Sequence, residues 1–269
     1  MHSQPQATMP DRLSRNNYRT TARIIGVLYL AGMVVGIGGN VLIQSILGAP
    51  DHLPTIAASS TLLAMGAVLW LGTVAGDAAH GILMFPVLKP HSERAAVGYL
   101  GARIIDATFI AVMALLILVQ IPLGIEYLKA GSSDTSYLQA LSTVLTEANL
   151  YAYEFGMITV GVAGLILCSM FYRAQLVPRL LAVWGLIGYA ILLLGSVLQI
   201  LGFNLSSIQA IPGGLWELFI GVWLIVKGFS SPAVPPEPTS SSMTPESSLV
   251  GSATARSSSN ASARPRLNH

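Results

Sequence analysis

Apolar runs long enough to cross a bilayer recur six times along the chain, at residues 22–47, 62–88, 95–121, 149–172, 180–203 and 212–229. A helix rising 1.5 Å per residue needs about 20 predominantly apolar residues to span the hydrocarbon core. None of the runs alternates polar and apolar residues at period two, as the wall of a membrane barrel would. A backbone in lipid must also satisfy its own hydrogen bonds, which open strands cannot do. The runs therefore predict an all-α fold, a polytopic membrane bundle of six transmembrane helices. Composition points the same way. Of the 269 residues 53% are hydrophobic and 10% charged, against about 25% charged in a soluble domain.

Charge sets the expected orientation. Arg12, Arg15, Arg19 and Arg23 lead into the first run, Lys89 and Arg94 separate the second from the third, and Arg173 and Arg179 separate the fourth from the fifth. Lys227, Arg256, Arg264 and Arg266 follow the sixth. On the other side, loops 48–61 and 204–211 carry no Lys or Arg, and 122–148 carries only Lys129. Twelve of the fourteen basic residues thus share one side. The positive-inside rule puts that side, with both termini, in the cytoplasm of a cell membrane. The first run exceeds the roughly 7–15 residues of a signal-peptide core, so it reads as a retained helix.

The expected organisation is a disordered basic tail over 1–21, the transmembrane domain over 22–229, and a disordered Ser/Pro-rich tail over 230–269. Within loop 122–148 the stretch "SYLQALSTVLTEANLYAYEF" predicts a short interfacial helix leading into the fourth span. Gly32/Gly36 and Gly72/Gly76 have the spacing that lets membrane helices approach closely. Residues 22–42 align without gaps to 178–198, matching Arg23 with Arg179 and Gly32 with Gly188. A formal charge of +2 gives no reason to expect nucleic acid as a partner. The single cysteine, Cys168, rules out an internal disulfide or a multi-cysteine metal site. No metal and no cofactor is expected, since His80 is the one histidine within a run. The expected partners are the lipid bilayer and either a second copy or another membrane protein.

The third run contains Arg103 and Asp106, each costing about 2.5–3.5 kcal/mol near a helix centre on an insertion scale. The second and third runs form a hairpin around "KPHSER", residues 89–94. Asp77 precedes Lys89 by the same twelve residues that separate Arg94 from Asp106, and His80 and Arg103 are likewise nine away. Antiparallel helices therefore set Asp77 level with Asp106, and His80 level with Arg103. Asp77 and His80 share a face with Thr73, and Arg103 and Asp106 share one with Tyr99. Glu217, ten residues before Lys227 in the sixth run, reaches a similar depth. The expectation is an Arg103 guanidinium shared among Asp77, Asp106 and Glu217 inside the bundle, with His80 beside it. Three carboxylates against one guanidinium leave an acid excess that a dry site would not tolerate. Glu154 and Tyr151 on the fourth run suggest a surface-facing stripe or, alternatively, an outer vestibule. The four tryptophans read as packing and interface residues.

Several stretches together are similar to one family of bacterial membrane proteins, the domain of unknown function 4386. They are "ARIIGVLYL" at 22–30, "RIIDA" at 103–107, "VPRLLAVWGLIGY" at 177–189 and "WELFIGVWLIVKG" at 216–228. The resemblance covers about residues 20–229 and implies a bacterial cytoplasmic membrane. It implies no reaction. Two functions compete on the residues themselves. One is handling of a small solute or proton at the acid–Arg–His cluster. The other is a non-catalytic membrane partner, a sensor or assembly subunit, whose cluster only locks the helices. An intramembrane enzyme using Asp77 and Asp106 as an acid–base pair is a third reading, and no presenting motif accompanies it.

Overall fold

The computed structural model describes residues 9–49, 52–131, 135–203, 205 and 208–230. Seven α-helices account for most of them: α1 (Met9–Leu47), α2 (His52–Ala58), α3 (Ser60–Leu88), α4 (Glu93–Ala130), α5 (Ser136–Ala174), α6 (Arg179–Ile200) and α7 (Ile211–Val226), with a 3-10 turn at Ile208–Ala210. There is no strand among the described residues. Six of the helical segments are long and apolar enough to span a membrane, and α2 is a short addition between the first two. Large apolar side chains such as Val34, Val68, Ile82, Leu115 and Ile187 point outward. A water-facing surface rarely carries so many, whereas lipid requires them.

Three element boundaries depart from the sequence reading. The helix of the first span starts at Met9, so residues 9–21, expected in a tail, are helical. Once a helix is nucleated in a span, each added residue costs little, and it propagates past the apolar stretch. Residues 1–8 and 231–269, where the rest of the two tails was expected, lie outside the described residues. The separate interfacial helix is also absent: α4 runs on to Ala130 and α5 starts at Ser136 as one continuous helix. Polar contacts tie the first turns of α5 to α4 and α2. Ser142 Oγ donates to Gln120 Oε1 at 3.0 Å and lies 2.7 Å from His52 Nε2 of α2, and Asn149 Nδ2 donates to the Met113 carbonyl at 2.9 Å. Pro122 lies inside α4, as membrane helices tolerate.

Each span packs against the next one in the chain, and α7 returns to pack against α1. The six spans therefore close into a ring in which every neighbour is antiparallel. Two apolar clusters pack it, one toward each end, the second drawn from α1 to α5 only. One gathers Ile25, Met84, Leu88, Tyr99, Leu167, Phe171 and Trp216. The other gathers Ile43, Ile46, Leu53, Leu63, Ile110, Met113 and Ile117. Along α4 the first cluster ends at Ala102 and the second begins at Ile110, so Arg103 and Asp106 fall in the gap between them. The same gap holds Asp77 and His80 on α3.

The helix crossings that close the ring are glycine contacts, and the tightest are at positions the spacing did not pick out. A Cβ added to Gly26 would stand 2.5 Å from the Gly221 carbonyl oxygen, so α1 and α7 touch backbone to backbone there. Gly39 and Gly66 bring α1 against α3 in the same way, an added Cβ at either lying 3.1–3.2 Å from the other's carbonyl oxygen. Of the four glycines the spacing picked out, an added Cβ at Gly72 would lie 3.4 Å from Val35 Cγ1 and one at Gly36 3.9 Å from the Thr73 hydroxyl, while Gly32 and Gly76 meet nothing within 4 Å.

Candidate functional site

The turn between α3 and α4 fixes the register that builds the site. Ser92 caps α4 by accepting from the Ala95 amide at 3.3 Å, and Lys89 pairs with Glu93 at 3.4 Å. With that turn pinned, Gly81 of α3 lies against Arg103 of α4, where an added Cβ would be 3.0 Å from the Arg103 Cβ. The missing side chain lets the arginine stem pass.

Arg103 points into the bundle, and its side chain is 12% exposed. Nη2 donates to Asp77 Oδ1, and Nη1 lies 3.2 Å from Asp106 Oδ2. Asp106 is wholly buried, on the side of α4 that faces Gly156 of α5. It sits behind the guanidinium and Asp77 in front. The planar fork of an arginine suits this double engagement, which an ammonium group could not copy. His80 is 3% exposed; its Nδ1 lies 2.5 Å from the Tyr99 hydroxyl, and its Nε2 has no hydrogen-bond partner. The Tyr29 ring meets the imidazole edge-on, with centroids 4.4 Å apart.

Asp77, His80, Arg103 and Glu217 all line one cavity of about 550 Å³. That volume is within the roughly 300–1,000 Å³ typical of small-molecule sites. All six spans contribute to its wall. On α3 the lining forms a stripe of Trp70, Thr73, Asp77 and His80, spaced as one helix face requires. Asp106 is not part of the wall. It serves the site only through Arg103.

Two expectations need correction. Glu217 does not share Arg103: its Oε1 accepts from the Tyr189 hydroxyl at 2.9 Å. The ring order explains this, since α7 neighbours α6 and α1 rather than α4. Glu154 is buried rather than surface-facing, while Tyr151 is exposed, and neither lines the cavity. On α5 the cavity takes the Tyr153, Met157 and Val160 face. Glu154 is one residue, about 100°, away from that face. It shares a stripe with Gly161, which packs on Leu193 of α6.

The sequence reading also missed four aromatic wall residues, Tyr29, Trp70, Tyr153 and Tyr189. Trp70 had been assigned to packing. Its membership was readable from the α3 stripe that carries Asp77. The other three leave no comparable signal, because aromatic residues in apolar helices serve packing, interface and binding alike.

A closed ring of six apolar helices around a buried polar centre defines a multi-pass, α-helical integral membrane protein. The model of one sequence family, described as a domain of unknown function (DUF4386), matches residues 24–228, and the chain belongs to that family. A search of curated proteins and a search of solved structures each return no match.

Proposed function

We propose that the protein sits in the cell membrane of a bacterium with both termini cytoplasmic, and handles a small solute or a proton at the centre of the ring. One observation carries the reading. Ionisable side chains from α3, α4 and α7 face a single cavity, in the gap between two apolar clusters. Ionisable groups inside a membrane are costly and default to functional sites. Transporters place their substrates near the midplane in this way. The rival reading, a membrane partner whose cluster only locks helices, rests on the Arg103 pairs with Asp77 and Asp106. That lock joins α3 and α4 without Glu217, which bonds only to Tyr189 of α6, and the rival does not account for its facing the same cavity as Asp77 and Arg103.

The test is flux in proteoliposomes loaded with a pH-sensitive dye and offered a proton gradient or a panel of small organic cations. Wild type is expected to move protons or a solute, and Asp77→Asn and Glu217→Gln to stop it. Equal behaviour of wild type, both variants and empty liposomes would end the proposal.

A further inference from the structure

The geometry points to an occupant of definite chemistry: an amphipathic amine, its protonated head among Asp77, Glu217 and the aromatic wall, its apolar body between α1 and α7. This rests on the reading of the centre as a working site and adds the class of molecule it takes.

Charge selects the head. Arg103 is already engaged by Asp77 and by the wholly buried Asp106, so its cation is spent within the protein. Glu217, on the opposite wall, has only the neutral Tyr189 hydroxyl as its hydrogen-bond partner. Three carboxyl groups against one guanidinium leave a formal anionic surplus that an anionic head would worsen and that a proton or a bound cation would relieve. The rings of Tyr29, Trp70, Tyr153 and Tyr189 line the same space. Aromatic faces attract ammonium groups within about 6 Å of the ring centroid, and several such rings form the usual cage for them. His80 adds a hydrogen-bonding requirement. Its ring is buried in the cavity wall with Nε2 unpartnered. In the tautomer that donates from Nδ1 to the Tyr99 oxygen, Nε2 is an acceptor for an ammonium N–H.

Access selects the body. Ile37 of α1 and Leu215 of α7 belong to the cavity wall, yet are 60% and 48% exposed. The wall thus continues into the lipid-facing surface between these two helices. They touch closely at Gly26 and Gly221, while Gly32 and Gly214, further along, meet nothing within 4 Å. A molecule entering there passes apolar side chains first and reaches the carboxylates last.

Decylamine titrated into the full-length protein in nanodiscs, read by tryptophan fluorescence against empty nanodiscs, tests this. Saturable binding is expected, with no competition from decyl sulfate and much weaker binding of methylamine, which lacks the chain. Glu217→Gln is expected to weaken binding about tenfold or more, the scale of one charge-assisted contact. Gly32→Leu, which grows a side chain into the cavity, is expected to abolish binding while thermal unfolding shows the fold retained. Equal competition by decyl sulfate, wild-type affinity in Glu217→Gln, or the absence of saturable binding would overturn the inference. Glu217-dependent proton flux without decylamine binding would overturn it and leave the flux reading standing. Binding without any flux would do the reverse.

Discussion

Arg103 is held from two directions, and the two carboxylates are not equivalent. Asp106 is sealed behind the guanidinium, while Asp77 meets it at the edge of the cavity. Removing the cation would leave the sealed Asp106 without its counter-ion, where breaking such an arrangement costs about 3–5 kcal/mol. Arg103→Met is therefore expected to lower the unfolding midpoint in detergent by an amount of that order. The double variant Arg103→Met with Asp106→Leu removes the sealed orphan as well and is expected to recover part of the loss. A double variant no more stable than the single one would show that the pair is not coupled. Much of this cluster is legible in the sequence, because equal offsets on either side of a four-residue turn fix which residues of a hairpin stand level. That argument covers Asp77, His80, Arg103 and Asp106. It reaches Glu217 in depth only. Its choice of Tyr189 depends on the order of helices around the ring, which no charge pattern records.

At the scale of elements, the spans announce themselves through hydropathy, and their ends do not. Helix α4 continues beyond the apolar run where Leu123 and Gly124 pack against Leu53 and Ile56 of α2, and the α5 extension is tied to α4 by Ser142 donating to Gln120. A polar loop and a polar helical extension have the same composition, so the sequence reading broke α5 where it is continuous. The crossings are only partly legible: spacing picked out Gly32, Gly36, Gly72 and Gly76, of which Gly72 makes an ordinary contact with Val35, whereas Gly26 and Gly221 carry the close approach. A direct comparison follows. An alanine at position 26 would place its Cβ 2.5 Å from a backbone oxygen and 2.8 Å from Ile225 Cγ1. Overpacking of this kind costs about 1–3 kcal/mol. At position 32 the added methyl meets nothing within 4 Å, and alanine gains about 1 kcal/mol of helix propensity over glycine. Gly26→Ala is expected to melt below wild type, and Gly32→Ala at or above it. The reverse order in a thermal-shift measurement would mean that α1 and α7 do not close the ring at Gly26.

Over the whole molecule, the ring and the charge pattern make one joint prediction. Antiparallel neighbours all the way round require an even number of spans, which leaves the start of α1 and the end of α7 on one face. The basic residues of the α3–α4 and α5–α6 turns, Lys89, Arg94, Arg173 and Arg179, lie on that same face. Under the positive-inside rule it is cytoplasmic, and the α4–α5 turn faces the exterior. The chemistry for testing this is favourable, because Cys168 is buried and is the only native thiol. His91 and Gln139 are both exposed, one beside each of the opposing turns. A membrane-impermeant maleimide added to intact cells is expected to label Gln139→Cys and spare His91→Cys, and inverted vesicles to give the opposite pattern. The direction matters for the centre. Ile37 and Leu215 lie in the half of α1 and α7 nearer the α4–α5 turn, so an exterior label at position 139 would open the cavity toward the outer leaflet. Labelling of His91→Cys in intact cells would turn the molecule over, and any flux through the centre would then have to be measured in the opposite sense.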